Sequence, residues 1–152
     1  MAKLQWSDWT PITKECSHSS PVVYRIAIAK KDTQVELIPI GRLAGVDGDG
    51  ILLIGKAIKM ETRRRQFLNP NGAHSEGILF KLIKAYSRQF QEKYANSSCV
   101  YSYAVASDGA EALKIKQQQI KKYVMHYGET PPLNSAIPDR YNYDEWNQLF
   151  NA

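Results

Sequence analysis

The chain has 152 residues, 43% of them apolar and 23% charged, enough for one domain with a real core and too few for two of ordinary size. It holds no run of about eighteen apolar residues, the minimum for a membrane-spanning helix. The net charge of +5 is clustered: positions 56–93 carry nine Lys or Arg against three acids, and positions 114–122 carry four more with no acid, a pattern that suits a polyanionic partner as well as solvated helix faces.

The opening Met-Ala-Lys-Leu-Gln-Trp-Ser-Asp-Trp lacks the charged-then-apolar layout of a signal peptide, so an intracellular, cytoplasmic chain is expected. Residues 1–20 read as an irregular lead-in that lays Trp6, Trp9 and Ile12 on the domain, punctuated by Pro11 and Pro21. Cys16 and Cys99 lack metal-ligand spacing and read as reduced thiols. The first clear strand covers 22–29, with Val22, Tyr24, Ile26 and Ile28 on one face and Val23, Arg25, Ala27 and Ala29 on the other. On this pattern Tyr24 is a core tyrosine before it is anything else. A second strand is expected over 35–40. The run Asp47-Gly48-Asp49-Gly50 is a turn signal, without the downstream Glu of a calcium loop.

Residues 51–54 read as a strand that passes through Gly55 into a basic helix over 58–68, so Gly55 and Arg63 should face one cleft at the strand end. A longer helix is expected over 77–94, with Ile78, Leu79, Leu82, Ile83, Tyr86 and Phe90 on its apolar side. Residues 99–106 alternate as a third main strand, and Ser107 or Asp108 can cap a helix over 109–127 that stops at Gly128. Pro131-Pro132 ends that helical stretch, and 143–150 form a short terminal helix around Trp146 and Phe150.

The helix over 109–127 carries an anomaly. At about 100° per residue, Ala112, Leu113, Ile120, Tyr123, Val124 and Tyr127 share one arc, and Lys116 falls inside it. A lysine there either snorkels past a short neighbour such as Ala112 or lines a cleft.

Taken together, Val22-Val23-Tyr24-Arg25-Ile26, Leu53-Ile54-Gly55-Lys56-Ala57, Arg63 and Tyr127-Gly128-Glu129-Thr130-Pro131-Pro132-Leu133-Asn134 resemble, in that order, the GIY-YIG nuclease superfamily. The stretch 40–47 looks like that of its bacterial stand-alone members. The resemblance runs over about 21–135, leaving 1–20 as lead-in and 136–152 as a C-terminal extension of a single domain. It implies a small α+β fold, a three-stranded antiparallel sheet flanked by helices, that hydrolyses DNA phosphodiester bonds with one magnesium (or manganese) ion. On it Tyr24 orients or deprotonates the attacking water, Gly55 allows close approach of backbone and substrate, Arg63 holds the scissile phosphate, and Asn134 is the polar residue ending its loop. Lys56 stands beside Gly55, and His74 lies where relatives often have a histidine. A homodimer or a separate partner chain would supply target specificity.

Two positions depart from the pattern. Leu53 replaces the second tyrosine of the name motif, and Lys116 occupies the position of the metal-binding glutamate, where an ammonium removes the ligand and repels the ion. Glu111 and Glu129 are the nearest glutamates in sequence, and Glu111 lies on a different face. The resemblance therefore implies a nuclease impaired in this copy, since one base change converts Glu to Lys, or a nucleic-acid- or protein-binding module that has lost the chemistry. An unrelated α/β domain would instead leave Tyr24, Arg63 and Lys116 on separate surfaces.

Overall fold

The computed structural model describes residues 3–31, 36–70 and 75–152. Its elements are β1 (Thr10–Pro11), β2 (Val22–Lys30), β3 (Ile40–Arg42), β4 (Gly45–Asp47), β5 (Ile51–Ala57), α1 (Met60–Leu68), α2 (Ser75–Tyr86), α3 (Arg88–Lys93), β6 (Ser97–Val105), α4 (Gly109–Tyr127) and α5 (Tyr143–Phe150). The fold is α+β. Its main sheet is antiparallel in the order β1-β6-β2-β5, and β3 and β4 form a separate two-stranded ribbon.

The sheet has four strands rather than the expected three because the lead-in adds β1 to the edge of β6, Thr10 opposite Tyr101 and Pro11 opposite Val100. A two-residue strand ending in proline has no alternation to betray it. Only its distant partner makes it a strand. The strand expected over 35–40 is likewise corrected: among the described residues it reduces to a bridge from Leu37 to Ala29, and regular pairing begins at Ile40. Val35 lies outside the described residues.

β2 is central, and its alternation feeds two cores. Val22, Tyr24, Ile26 and Ile28 pack with Met60 and Phe67 of α1 and Phe80 of α2. Val23, Ala27 and Ala29 face Ile120 and Tyr123 of α4. Each such fully buried aliphatic or aromatic side chain contributes about 1.5–3 kcal/mol. The register between β2 and β5 shifts between Ile26, opposite Leu53, and Ala27, opposite Ile51. This bulge turns both Leu52 and Leu53 toward the first core.

The helix expected over 77–94 is two helices. Ser87 leaves helical geometry at φ −91°, ψ 106°, and its side chain accepts a hydrogen bond from Phe90 N, capping α3. The apolar side also differs: Gly77 and Phe80 are buried, Phe80 stacking on Phe67 at 5.4 Å, while Leu79, Leu82 and Tyr86 are exposed. α4 keeps its expected bounds. Asp108 accepts from Glu111 N at 2.8 Å, and Gly128 closes the helix at φ 79°, a conformation glycine adopts without strain. On its core side Leu113 is exposed, whereas Lys121 is buried and paired with Asp139 of the C-terminal segment.

The lead-in is tied down by Ser7 N to Tyr103 O (2.7 Å) and Ile12 N to Cys99 O (3.0 Å), and by Trp6 and Trp9, which lie 4.0 and 4.7 Å from the Arg25 guanidinium. Among the described residues, no helix is long and apolar enough to cross a membrane.

Candidate functional site

Three strand termini meet at one end of the sheet, because Val22 at the start of β2 pairs with both Ala57 at the end of β5 and Val105 at the end of β6. α1 and α4 each begin within a few residues of that end. Tyr24 lies two residues inward, opposite Gly55 on one side and Tyr103 on the other. Its ring is 3% exposed.

Burial pushes the Tyr24 phenol well above its ordinary range; the Arg63 charge pulls it back and the Glu76 carboxylate pushes it further. A phenol held this way stays protonated at neutral pH. It can donate a hydrogen bond but is not a resting base.

Gly55 is required by this tyrosine. A Cβ at position 55 would sit 2.7 Å from Tyr24 Cε1 and closer still to its Cζ and hydroxyl. The ring lies directly on the Gly55 backbone, so the glycine has a packing reason independent of any substrate.

Arg63 on α1, Lys56 at the end of β5 and Lys116 in the middle of α4 are all half-buried. Burial lowers the Lys116 pKa, Glu76 opposes that, and Lys56 and Arg63 lower it further. Arg63 and Glu76 act on both Tyr24 and Lys116, and Lys56 acts on Lys116, so these five groups belong to one electrostatic neighbourhood. Leu53, in place of the second tyrosine, is a fully buried core residue.

Asn134 reaches Ile54, the residue before Gly55, but is spent on the fold. Its Oδ1 accepts from Ile54 N and its Nδ2 donates to Ile54 O, both at 2.9 Å, while Leu133 N donates to Leu52 O at 2.8 Å. The Pro-Pro-Leu-Asn loop thus runs along the outer edge of β5 and holds the strand that carries Gly55. His74 lies outside the described residues.

The carboxylates expected nearest to position 116 have other tasks. Glu111 accepts from Ser107 N and Oγ, both at 3.0 Å, and Glu129 pairs with Arg42. The carboxylate that acts on Lys116 is Glu76, in the first turn of α2. Sequence reasoning missed it, since an acid at a helix start is its ordinary place. Asp47, read as a turn residue, does accept from Asp49 N (3.0 Å) and Ile51 N (2.9 Å), and it also takes a hydrogen bond from Tyr123 of α4 at 2.8 Å.

Magnesium or manganese is held through one or two carboxylates together with waters and substrate phosphates. Here the one carboxylate that acts on Lys116, Glu76, stands against three cations, Lys56, Arg63 and Lys116 itself. The residues present do not fit a divalent ion. Their charges suit an anion: a guanidinium can grip two phosphate oxygens and two ammoniums add charge. Comparison of the chain with family models, curated proteins and solved structures found no match.

Proposed function

We propose that this chain is a GIY-YIG-type DNA endonuclease whose phosphodiester hydrolysis is impaired by Lys116. The observation that carries the reading is the half-buried Lys116, a cation in the middle of α4, under the influence of Arg63, Lys56 and Glu76. This is the position at which the resemblance calls for a metal-binding glutamate.

In this reading Arg63 holds the scissile phosphate through paired N–H donors, with Lys56 and Lys116 beside it. Tyr24, kept neutral by burial, orients a water or a phosphate oxygen rather than removing a proton. Without a metal-ligating carboxylate at position 116, the site binds the substrate's charge but does not acidify the attacking water. The same cation favours a second reading, a module that retains nucleic-acid or protein binding and has lost cleavage altogether. A homodimer or a partner chain completes specificity in either case.

The test is a supercoiled-plasmid nicking assay with magnesium and with manganese. The unsubstituted chain is expected to be inactive or slow, Lys116→Glu to nick, and Lys116→Glu combined with Arg63→Ala to lose that activity. If Lys116→Glu stays inert while plasmid binding persists, the binding module is the correct description. If neither chain binds plasmid and Arg63→Ala changes nothing, the nuclease and the nucleic-acid-binding readings fail.

A further inference from the structure

At the far end of the same sheet face lies a cavity of about 330 Å³, between β2, β6 and the helices α1 to α3. Its walls are mostly apolar, with Phe67, Phe80, Phe90 and Tyr94 the aromatic contributors and Cys99 set in the strand side. Burial pushes the Cys99 thiol up to about 12, so this wall is uncharged near neutral pH. The aromatic wall is ordered: Phe80 meets Phe90 edge-on at 5.7 Å, and Phe90 lies 4.6 Å from Tyr94.

The charge at this cavity has one sign. Lys84 is a lining residue whose Nζ lies 4.8 Å from the Phe80 ring, and Lys93 Nζ lies 5.3 Å from the Tyr94 ring. Among the described residues neither has a carboxylate partner, and no acidic residue lines the space. Gln91 already donates to Lys84 O and Ala85 O, at 2.7 and 3.2 Å, and Ser97 donates to Tyr94 O at 2.6 Å. The polar groups of the rim are thereby largely satisfied, apart from the ammoniums.

An apolar, aromatic-walled space of this size is within the range of small-molecule pockets. At roughly 30 Å³ for each water-sized group, it takes a body of about ten such groups. We infer that this cavity binds a small amphiphile with an apolar body and one carboxylate, such as a medium-chain fatty acid, its tail among Phe67, Phe80 and Phe90 and its head at Lys84. The site is separate from the cluster around Tyr24, and its occupancy does not depend on the nuclease reading.

The test is calorimetric titration of the full chain with octanoate, octanol and dAMP. Octanoate is expected to bind saturably at one site, and octanol up to about five-fold more weakly, as loss of one charge contact to the exposed Lys84 implies. Lys84→Met should bring octanoate down to the octanol level and leave octanol unchanged, and Cys99→Phe should fill the space and remove both. Should Cys99→Phe fail to fold, amide shifts at Ile28, Phe90 and Cys99 in the natural chain on adding octanoate locate the ligand independently. Absence of saturable octanoate binding, affinity indifferent to Lys84→Met, shifts confined to other residues, or displacement of octanoate by dAMP would each overturn the assignment.

Discussion

Replacing Glu61 by glutamine removes one negative charge from a buried cluster without changing its shape. The Glu61 side chain, 10% exposed, accepts from Arg64 Nε (2.8 Å) and Nη2 (2.6 Å), from Cys16 N (2.8 Å) and from Arg65 Nε (2.8 Å). Arg64 also donates to Ile12 O at 2.8 Å, so the cluster fastens the lead-in to α1. Hydrogen bonds from Arg64 foremost, opposed by burial and helped by the Cys16 amide and Arg65, hold the Glu61 carboxyl at about 2 against an ordinary 4.5. At about 1.4 kcal/mol per pH unit, that difference is worth about 3 kcal/mol. Leaving the Arg64 charge buried without its partner costs about 3–5 kcal/mol by independent reasoning, so the two routes agree. The Arg65 arm is solvent-exposed and contributes little. Because the folded value lies below the unfolded one, this stability is complete above about pH 4.5 and is lost as the pH falls toward 2. Urea unfolding followed by circular dichroism should therefore show Glu61→Gln less stable by about 3 kcal/mol at pH 7, a large part of a typical domain's total. Between pH 5 and 2.5 the variant should also lack the corresponding share of the natural chain's acid destabilisation. A loss under about 1 kcal/mol, or an unchanged acid slope, would refute the assignment of the cluster as a stability element. Glu61→Leu with Arg64→Met should recover only part of the loss, since the neutral pair leaves no orphan charge but strands Cys16 N and Ile12 O.

Gly55→Ala should cost about 1–3 kcal/mol through the collision with the Tyr24 ring, and Tyr24→Leu in the same chain should restore part of it; a melting temperature equal to that of the natural chain would remove the packing account of this glycine. Asn134→Leu should destabilise by about 1–3 kcal/mol by leaving both Ile54 backbone groups without their side-chain partner, while anisotropy with labelled DNA stays unchanged. A loss of DNA affinity without loss of stability would instead make Asn134 a substrate contact. Glu76→Gln should lower the Lys116 pKa further, because it removes the charge that opposes desolvation; heteronuclear NMR titration of the lysine side chain reads the direction, and no change would separate Glu76 from the site.

What the sequence disclosed was governed by local pattern. β2 and β6 alternate over nine residues each, and α4 carries both its Asp108 cap and its Gly128 stop, so their bounds were readable within two residues. Long-range pairing was not readable: β1 exists only because Thr10 meets Tyr101, and Lys121 is buried only because Asp139 comes to it. The continuous apolar rhythm over 77–94 masked the Ser87 cap, where one side-chain hydrogen bond outweighs periodicity. At the site, Tyr24, Gly55, Arg63 and Lys116 were marked by residue type and order. The purpose of Gly55 as a bed for the tyrosine ring and the presence of Glu76 required three-dimensional proximity that no spacing rule encodes.

Both margins of the main sheet are closed to newcomers. At one margin the outermost strand is two residues long and contains Pro11, which has no N–H to offer; at the other, Asn134 and Leu133 already occupy the hydrogen-bonding groups of Ile54 and Leu52. A second chain therefore finds little backbone to extend as a continuous ribbon, which disfavours strand-mediated aggregation. Self-association through the main sheet has to use side chains instead, and the exposed Leu79, Leu82 and Tyr86 row on α2 is one surface open to it.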